Sequence, residues 1–465
     1  MIFASKDDLL NHLKGSAPLA NGGLRLENAD KFREKTVDDL VRNAVLNPCK
    51  EIRALSRFAI KSAALQMGIF PSSIQGLYEA RGQGECHGFT VPALNIRGMS
   101  YDLSRAIFRT ARKKNAGAFI FEIAKSEMSY TFQPPPELTS VILAAAIRER
   151  HMGPVFIQGD HFQVNAKKYA EDPEKEIAGL KKLIDQAIAG GFYNIDIDTS
   201  TLVDLGKPNV VEQQRANFEV GVALTHYIRK NEPEGLTISV GGEIGEVGKE
   251  NSTEEELRAY LDNFNALLDK TEKGAKGISK ISVQTGTEHG GVPTPDGKVA
   301  DVNLDFDTLA KLSRISREVY GLAGAVQHGA STLPADMFHK FPELETAEIH
   351  LATDFQNMMY DSKNFPGKFR TEIYDHLRKK FADEKKAGWT DEQFIYKTRK
   401  KGFGEFKEQF WNLPESVKAA IGQELETKID FLFEQLAANN TSDYVKRYAE
   451  TMLVRPDLEK EMAFA

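Results

Sequence analysis

Eight short apolar runs, each followed by enough chain for a helix, occupy residues 89–354. They are FTVPALNI (89–96), AFIFEI (118–123), PVFIQGD (154–160), YNIDID (193–198), TISVGGE (237–243), ISKISVQT (278–285), AGAVQH (323–328) and AEIHLA (347–352). Each is rich in Val, Ile, Phe and Ala and has strand length. Strands that alternate with helices build a parallel sheet with helices on its faces. Two of the intervening helices are plain in the pattern. Leu138, Val141, Ile142 and Ala145 share one face of 137–150. Leu257, Tyr260, Leu261, Phe264, Leu267 and Leu268 form a stripe on 254–270, with Thr253 and Glu256 spaced for a capping box. Eight such units over roughly 265 residues have the size of a (β/α)8 barrel. Periodicity alone leaves an open doubly wound sheet as the alternative.

The polar residues favour the barrel. Asn95, Asp160, Asp198, Glu243 and His328 fall at the C-terminal ends of expected strands, and His289 follows another by a few residues. In a barrel those ends meet at one face, where barrel enzymes place their active sites. The flanks differ in pattern. Residues 1–88 read as helical, with apolar spacing in Val37–Leu46 and Ile52–Met67 and breaks at Asn47-Pro48 and Phe70-Pro71. Residues 370–465 are helical again, with Val417, Ile421, Leu425, Ile429, Leu432 and Leu436 at helical spacing. The expected organisation is a helical N-terminal extension (1–88), a catalytic barrel (89–369) and a helical C-terminal extension (370–465). The extensions are expected to cover the barrel mouth or to build a subunit interface. The basic stretches Arg378–Lys386 and Lys397–Lys401 read as solvated faces.

Composition narrows the function. The chain has 465 residues, a net charge of −7 and 41% apolar side chains, enough for a real core. A mildly acidic chain is a poor partner for nucleic acid. No apolar run reaches the ~20 residues of a membrane span, and no secretory signal is visible. Two cysteines, Cys49 and Cys86, make no disulfide framework, so the expected compartment is the reducing cytoplasm.

Three histidines sit in distinctive settings: QGDHFQ (158–163), TGTEHGG (285–291) and AVQHGAST (325–332). Each lies at or just after a strand end, and two precede a glycine that lets the backbone turn and a ligand approach. Neutral imidazoles from His161, His289 and His328, with a strand-end carboxylate such as Glu243, suit Zn²⁺ or a similar divalent ion. Glu288, beside His289, is placed to orient a ligand or simply to face solvent.

These segments resemble the class II, zinc-dependent fructose-bisphosphate aldolases and their tagatose-bisphosphate relatives. The ordered motifs are Asp160-His161, Gly191-Phe192 with Ile197-Asp198-Thr199-Ser200, Glu243-Ile244-Gly245, Gly286-Thr287-Glu288-His289-Gly290, His328-Gly329-Ala330-Ser331 and His350-Leu351-Ala352-Thr353-Asp354. They span residues 89–356; the flanks lie outside the resemblance. It implies His161, His289 and His328 as zinc ligands, with Mn²⁺ or Co²⁺ as substitutes. It implies Glu243 as a ligand of, or neighbour to, a second metal position, and Asp160 as the acid/base group at the substrate C4 hydroxyl. Asn95, Asp198, Gly290, Gly329, Ser331, Thr353 and Asp354 are the expected substrate contacts.

The departures from the family pattern bear on the substrate. After Glu243 the family has adjacent acids, one of which moves the C3 proton; here Glu250 is the nearest candidate and Asn251 follows it. The family's Asn and Asp on the final strand are replaced by His350 and Ala352, which makes His350 a candidate catalytic group. The phosphate serine after the second strand is Ala124, with Lys125 and Ser126 beside it. A weakened phosphate pocket follows as an expectation, which leaves room for a neutral sugar. Glycine-rich turns at 290–291 and 329–331 can still hold an oxyanion. The expected function is a metal-dependent aldolase acting at the C3–C4 bond of a ketose or ketose phosphate. A ketose 4-epimerase of the fructose/tagatose or hexuronate type uses the same retro-aldol step. A non-catalytic aldolase-like subunit is the third reading. The expected partners are the small-molecule ketose and further copies of the chain, with neither nucleic acid nor membrane.

Overall fold

The computed structural model describes residues 1–20, 23–244, 250–286, 294 and 304–465. All eight expected strands form: β1 (Val91–Asn95), β2 (Ile120–Ala124), β3 (Gly153–Gln163), β4 (Asn194–Asp198), β5 (Ser239–Glu243), β6 (Lys280–Val283), β7 (Ala325–Gln327) and β8 (Glu348–Leu351). Each pairs in parallel with the next, and β8 returns to β1 through Glu348↔Val91 to Leu351↔Leu94. The sheet therefore closes, and the open alternative falls away. The fold is a (β/α)8 barrel with helices between the strands.

The outer helices form where the spacing places them. Pro135–Arg148 opens on two prolines, which suit a first turn whose N–H groups lack acceptors. Glu254–Thr271 begins at Thr253, whose hydroxyl caps Glu256 N while the Glu256 carboxylate returns to Thr253 N. Leu257, Tyr260, Leu261, Phe264 and Leu268 of that helix are buried against the barrel.

The N-terminal flank is more than helical. Ile69–Ser72, where Phe70-Pro71 reads as a break, is a short ninth strand that pairs with the start of β3 through Ile69↔Gly153 and Ser72↔Phe156. Pro71 is accommodated because this strand is at an edge and its missing N–H takes nothing from the ladder. Asn194, which opens β4, joins the two: its amide donates to Ser72 O (3.2 Å) and accepts from Ile74 N (2.9 Å).

Helix Gln75–Gly82 then plugs the N-terminal end of the barrel. Ile74, Leu77 and Tyr78 pack with Val91, Ala93, Ile120, Phe156 and Ala347 in an apolar cluster apart from the main core. Val445 and Ala449 seal the same cluster. Thr441 Oγ1 accepts from Gly117 N and Ala118 N, both at 3.0 Å. The last helix, Leu458–Ala463, docks on Lys50–Gln66 through a buried Lys61–Glu461 pair (2.5 Å). No helix among the described residues is long and apolar enough to cross a membrane.

Candidate active site

The site begins with an irregularity in β3. Gly159 pairs with Ile195 and Phe162 with Ile197, so three steps along β3 match two along β4. The extra residue is a bulge, which re-aims side chains at a strand end. Gly159 permits it: a Cβ there would stand 2.4 Å from the Phe162 ring, which folds back over it. His161 takes φ 42°, a left-handed conformation that costs a non-glycine residue about 1–2 kcal/mol. The bulge lets neighbours Asp160 and His161 both address the mouth, where regular strand geometry would send them to opposite faces.

Around this pair the strand ends converge. His161 Nδ1 lies 3.1 Å from Asp198 Oδ2 on β4 and 3.4 Å from Glu243 Oε2 on β5. Its Nε2 lies 3.8 Å from Asp160 Oδ1. His328, just past β7, brings Nε2 to 3.4 Å from the same oxygen. The rings of His161, His328 and His350 follow one another, with centroids 4.3 and 4.1 Å apart. His350 Nδ1 is 2.7 Å from Glu122 Oε2 and 3.4 Å from Asp160 Oδ1; its Nε2 is 2.8 Å from Glu348 Oε1.

Burial and charge divide these groups. Burial disfavours ionised Asp160, but His161 and His350 outweigh it and hold the carboxyl well below its ordinary value. Asp198, also buried, is brought down to about 2 by His161, Ser200 and Gln163. Glu243 goes the other way, to about 7, through burial and the nearby Asp198 charge. His328 is pushed well down by burial and by the like charges of His350 and His161. Burial thus favours the neutral imidazole at His328, the form that ligates metals, whereas Asp160, Asp198 and Glu243 favour positive charge at His161.

A cavity of about 630 Å³ opens over the cluster. Asn95, Asp160, His161, Asp198, Glu243, His328, Gly329, Ser331, His350 and Thr353 all line it. Gly329 has φ 70°, and Ser331 Oγ accepts from Ala352 N at 2.7 Å. Two expected residues lie elsewhere. Asp354 is absent from the lining, and its carboxylate pairs with Lys428 at 2.8 Å. Glu250 is exposed and does not line the cavity. His289 and Gly290 lie outside the described residues.

Other residues reach the site without having been singled out. Glu122, an inward position of β2, stands beside His350. Arg97, two residues past β1, pairs with Glu127 (2.5 Å) and donates to Asn95 and Gln356. Tyr396, Lys397 and Lys400 come from the C-terminal flank, so the stretch 397–401 is not a simple solvated face. Arg399 turns to Asp361 (2.7 Å), which lays Lys397 and Lys400 over the mouth. Lys400 has no ion pair among the described residues; its ammonium lies 5.5 Å from the Tyr130 ring, and burial and Arg97 push its pKa down. Lys125, which donates to Gln163 O (2.8 Å) and faces Glu176 at 3.5 Å, lines the same cavity.

The donor set fits a divalent cation. In Asp160–His161–His328 and in His161–Asp198–Glu243 the ligand atoms lie within 4.8 Å of one another. Imidazole nitrogen with carboxylate oxygen suits Zn²⁺ and its first-row neighbours. A positive ion would also offset the carboxylates crowded beneath the cavity.

A parallel barrel with a polar constellation at the C-terminal strand ends defines a barrel-enzyme architecture. The model of the family "Fructose-bisphosphate aldolase class-II" matches residues 79–418, and the chain belongs to that family. No curated protein matches the chain in sequence. Among solved structures, a probable tagatose 6 phosphate kinase from Sinorhizobium meliloti 1021 is similar at TM-score 0.53 and 15% identity, covering 81% of this chain and 97% of its own. A fructose-bisphosphate aldolase from Campylobacter jejuni reaches 0.48 at 15% identity, covering 80% and 97%. The YdjI aldolase from Escherichia coli K12 reaches 0.41 at 13%, covering 75% and 100%. At such identity the likeness concerns the fold.

Proposed function

We propose that the chain is a metal-dependent aldolase-type enzyme that makes or breaks the C3–C4 bond of a ketose phosphate. The observation that carries this is the meeting of Asp160, His161 and His328 on one cavity, with Glu243 beside them. His161, His328 and Glu243 would hold the ion, joined by His289 as the sequence suggests. A bound divalent ion supplies Lewis-acid stabilisation of the negative charge that develops beside the ketose carbonyl.

The chain's own groups do the rest. Asp160, a buried carboxyl held below its ordinary value by the positive charge around it, His350 included, accepts the C4 hydroxyl proton on cleavage and returns it on condensation. Asn95 and Ser331, at the end of β1 and just past β7, offer hydrogen bonds to substrate hydroxyls. Arg97, Lys125, Lys397 and Lys400 favour an anionic substrate end. They weigh toward a charged ketose over the neutral sugar that Ala124 leaves open.

A second reading has its own support. Net cleavage requires a proton at C3, and Glu250, the expected donor, is exposed and off the cavity. A 4-epimerase needs no such donor, because the two halves recombine after the aldehyde rotates. Incubation of metal-loaded protein with fructose, tagatose, their uronates and their phosphates separates the two. Three-carbon products mark the aldolase, and a second ketose without fragments marks the epimerase. Asp160→Asn is expected to keep its metal and lose turnover. No product from any ketose, or full activity in Asp160→Asn, would overturn the proposal.

A further inference from the structure

We propose that Tyr78, on the plug helix at the far end of the barrel, is a positioning residue that acts through Glu348 and His350 on Asp160. This rests on the role given to Asp160 above.

The plug needs no hydroxyl for packing. Tyr78 is fully buried among Ile74, Leu77, Val91 and Ala347, where a phenylalanine ring would serve. Its phenol instead donates to Glu348 Oε2. The other oxygen, Oε1, accepts from Lys280 Nζ (2.6 Å) and Gln158 Nε2 (2.8 Å) and faces His350 Nε2 at 2.8 Å. A carboxylate offers about four lone-pair positions. Hydrogen bonds reach them from the plug, β6 and β3, with His350 of β8 at ion-pair distance, so Glu348 cannot turn without leaving a buried donor unmet. Gly241 makes room for this packing, since a Cβ there would stand 2.3 Å from Asp196 Oδ1 and 2.9 Å from Lys280 Cε.

Glu348 in turn holds His350 from beneath. The imidazole stands between two carboxylates at ion-pair distance, Glu348 at Nε2 (2.8 Å) and Glu122 at Nδ1 (2.7 Å), with the His328 ring tilted against it. Its Nδ1 reaches Asp160 Oδ1 at 3.4 Å. A continuous buried path therefore runs from the plug to the proton-transferring carboxylate, and the plug hydroxyl is its lower anchor. A misplacement of about 1 Å at such a group is enough to cost rate.

The test is a double-mutant cycle on the metal-loaded full chain, using whichever ketose the wild type converts. Tyr78→Phe is expected to lower kcat about tenfold, with KM and bound metal unchanged. His350→Gln lowers kcat at least as far. The double variant is expected to match His350→Gln alone, because the link is already cut. Losses that multiply, or a Tyr78→Phe kcat within twofold of wild type, overturn the proposal. Glu348→Gln cuts the same link from the middle, and its loss is likewise expected not to compound with that of His350→Gln; this keeps the test if the plug variant misfolds. A wild type inactive on every ketose refutes the function instead. The link is then read by NMR of histidine-labelled protein: the Nε2–H of His350 is expected to exchange with water faster in Tyr78→Phe. Equal exchange rates overturn the link independently of turnover.

Discussion

Lys280→Met removes the ammonium at the centre of the buried column and keeps an unbranched side chain of similar length. Lys280 is 1% exposed; its Nζ lies 3.0 Å from Asp196 Oδ2, 2.6 Å from Glu348 Oε1 and 2.8 Å from Gln158 Oε1. Methionine preserves most of the packing, a change worth under about 1.5 kcal/mol. Deleting one partner of a buried ion pair costs about 3–5 kcal/mol, because the other charge stays buried. That is roughly two to four decades in the unfolding equilibrium. The pH dependence follows from the two carboxyls. Burial raises the Glu348 pKa, but Lys280 and His350 outweigh it and leave it below the ordinary 4.5. Its contribution is present above 4.5 and lost as pH falls through the lowered folded value. Asp196 is already raised to about 6 by burial, against the pull of Lys280. Without Lys280 both carboxyls take up protons at higher pH, so acid relieves part of the damage. Urea unfolding followed by circular dichroism should show a larger deficit at pH 8 than at pH 5. A deficit below about 1 kcal/mol, or one that grows toward acid, would refute the reasoning.

His151 tests a second buried titration. Burial against the Phe108 ring lowers its pKa from 6.5 to about 4, and Nε2 meets Pro154 O at 3.2 Å. The neutral ring contributes stability that is present above pH 6.5 and lost as pH falls through 4, on the order of 2 kcal/mol for a half-buried group. Stability curves of wild type and His151→Phe should diverge across that window; parallel curves would contradict the assignment. Gly159→Ala drives a Cβ into Phe162 and should cost about 1–3 kcal/mol, with Phe162→Ala in the same chain recovering the bulge geometry and the bound metal. A loss under 0.5 kcal/mol for Gly159→Ala, measured by the same urea titration, would show that the bulge yields freely. Lys400→Gln should raise KM for a ketose phosphate about tenfold, the effect of losing roughly 1.4 kcal/mol, and leave KM for the matching neutral ketose unchanged. An equal change in both would remove Lys400 from the anion rim.

The strands were legible because each carries a dense apolar run, and their polar ends were legible because a barrel gathers them. Asp160, His161, Glu243 and His328 meet for that reason. What escaped depends on register or on distant chain. The β3 bulge leaves no mark in composition, since Gly159 and Phe162 gain meaning only when their contact is known. Lys280 sits inside ISKISVQT and reads as an interruption, although a lysine within a barrel strand must face a carboxylate or water. Glu122, Glu348 and Asp196 share the inward alternation of Asp160 and His350, and that period of two was the available signal. Lys397 and Lys400 read as solvent-facing because a charge run on a helix normally is. Their position is set by Arg399–Asp361 and by Phe403, which occupies the space that a side chain on Gly98 would need.

The same column explains why so much chain lies outside the barrel. Ionised groups stacked beneath a catalytic mouth are tolerated only when each is paired and water is kept from the dry end. A barrel that ended at its own strands would leave Glu348, Asp196 and Lys280 open to solvent from below, where their mutual attraction weakens toward its value in water. Helix Gln75–Gly82, the short strand Ile69–Ser72 and the segment around Val445 close that end with apolar side chains. The flanks therefore serve both ends of the barrel, sealing the base so that the ion pairs stay strong and lending Lys397 and Lys400 to the mouth. Truncation of 437–465 should expose the base first. The expected sign is rapid hydrogen exchange in β1 and β8, ahead of any change at the outer helices. Exchange that starts at the outer helices instead would show that the C-terminal segment does not guard the column.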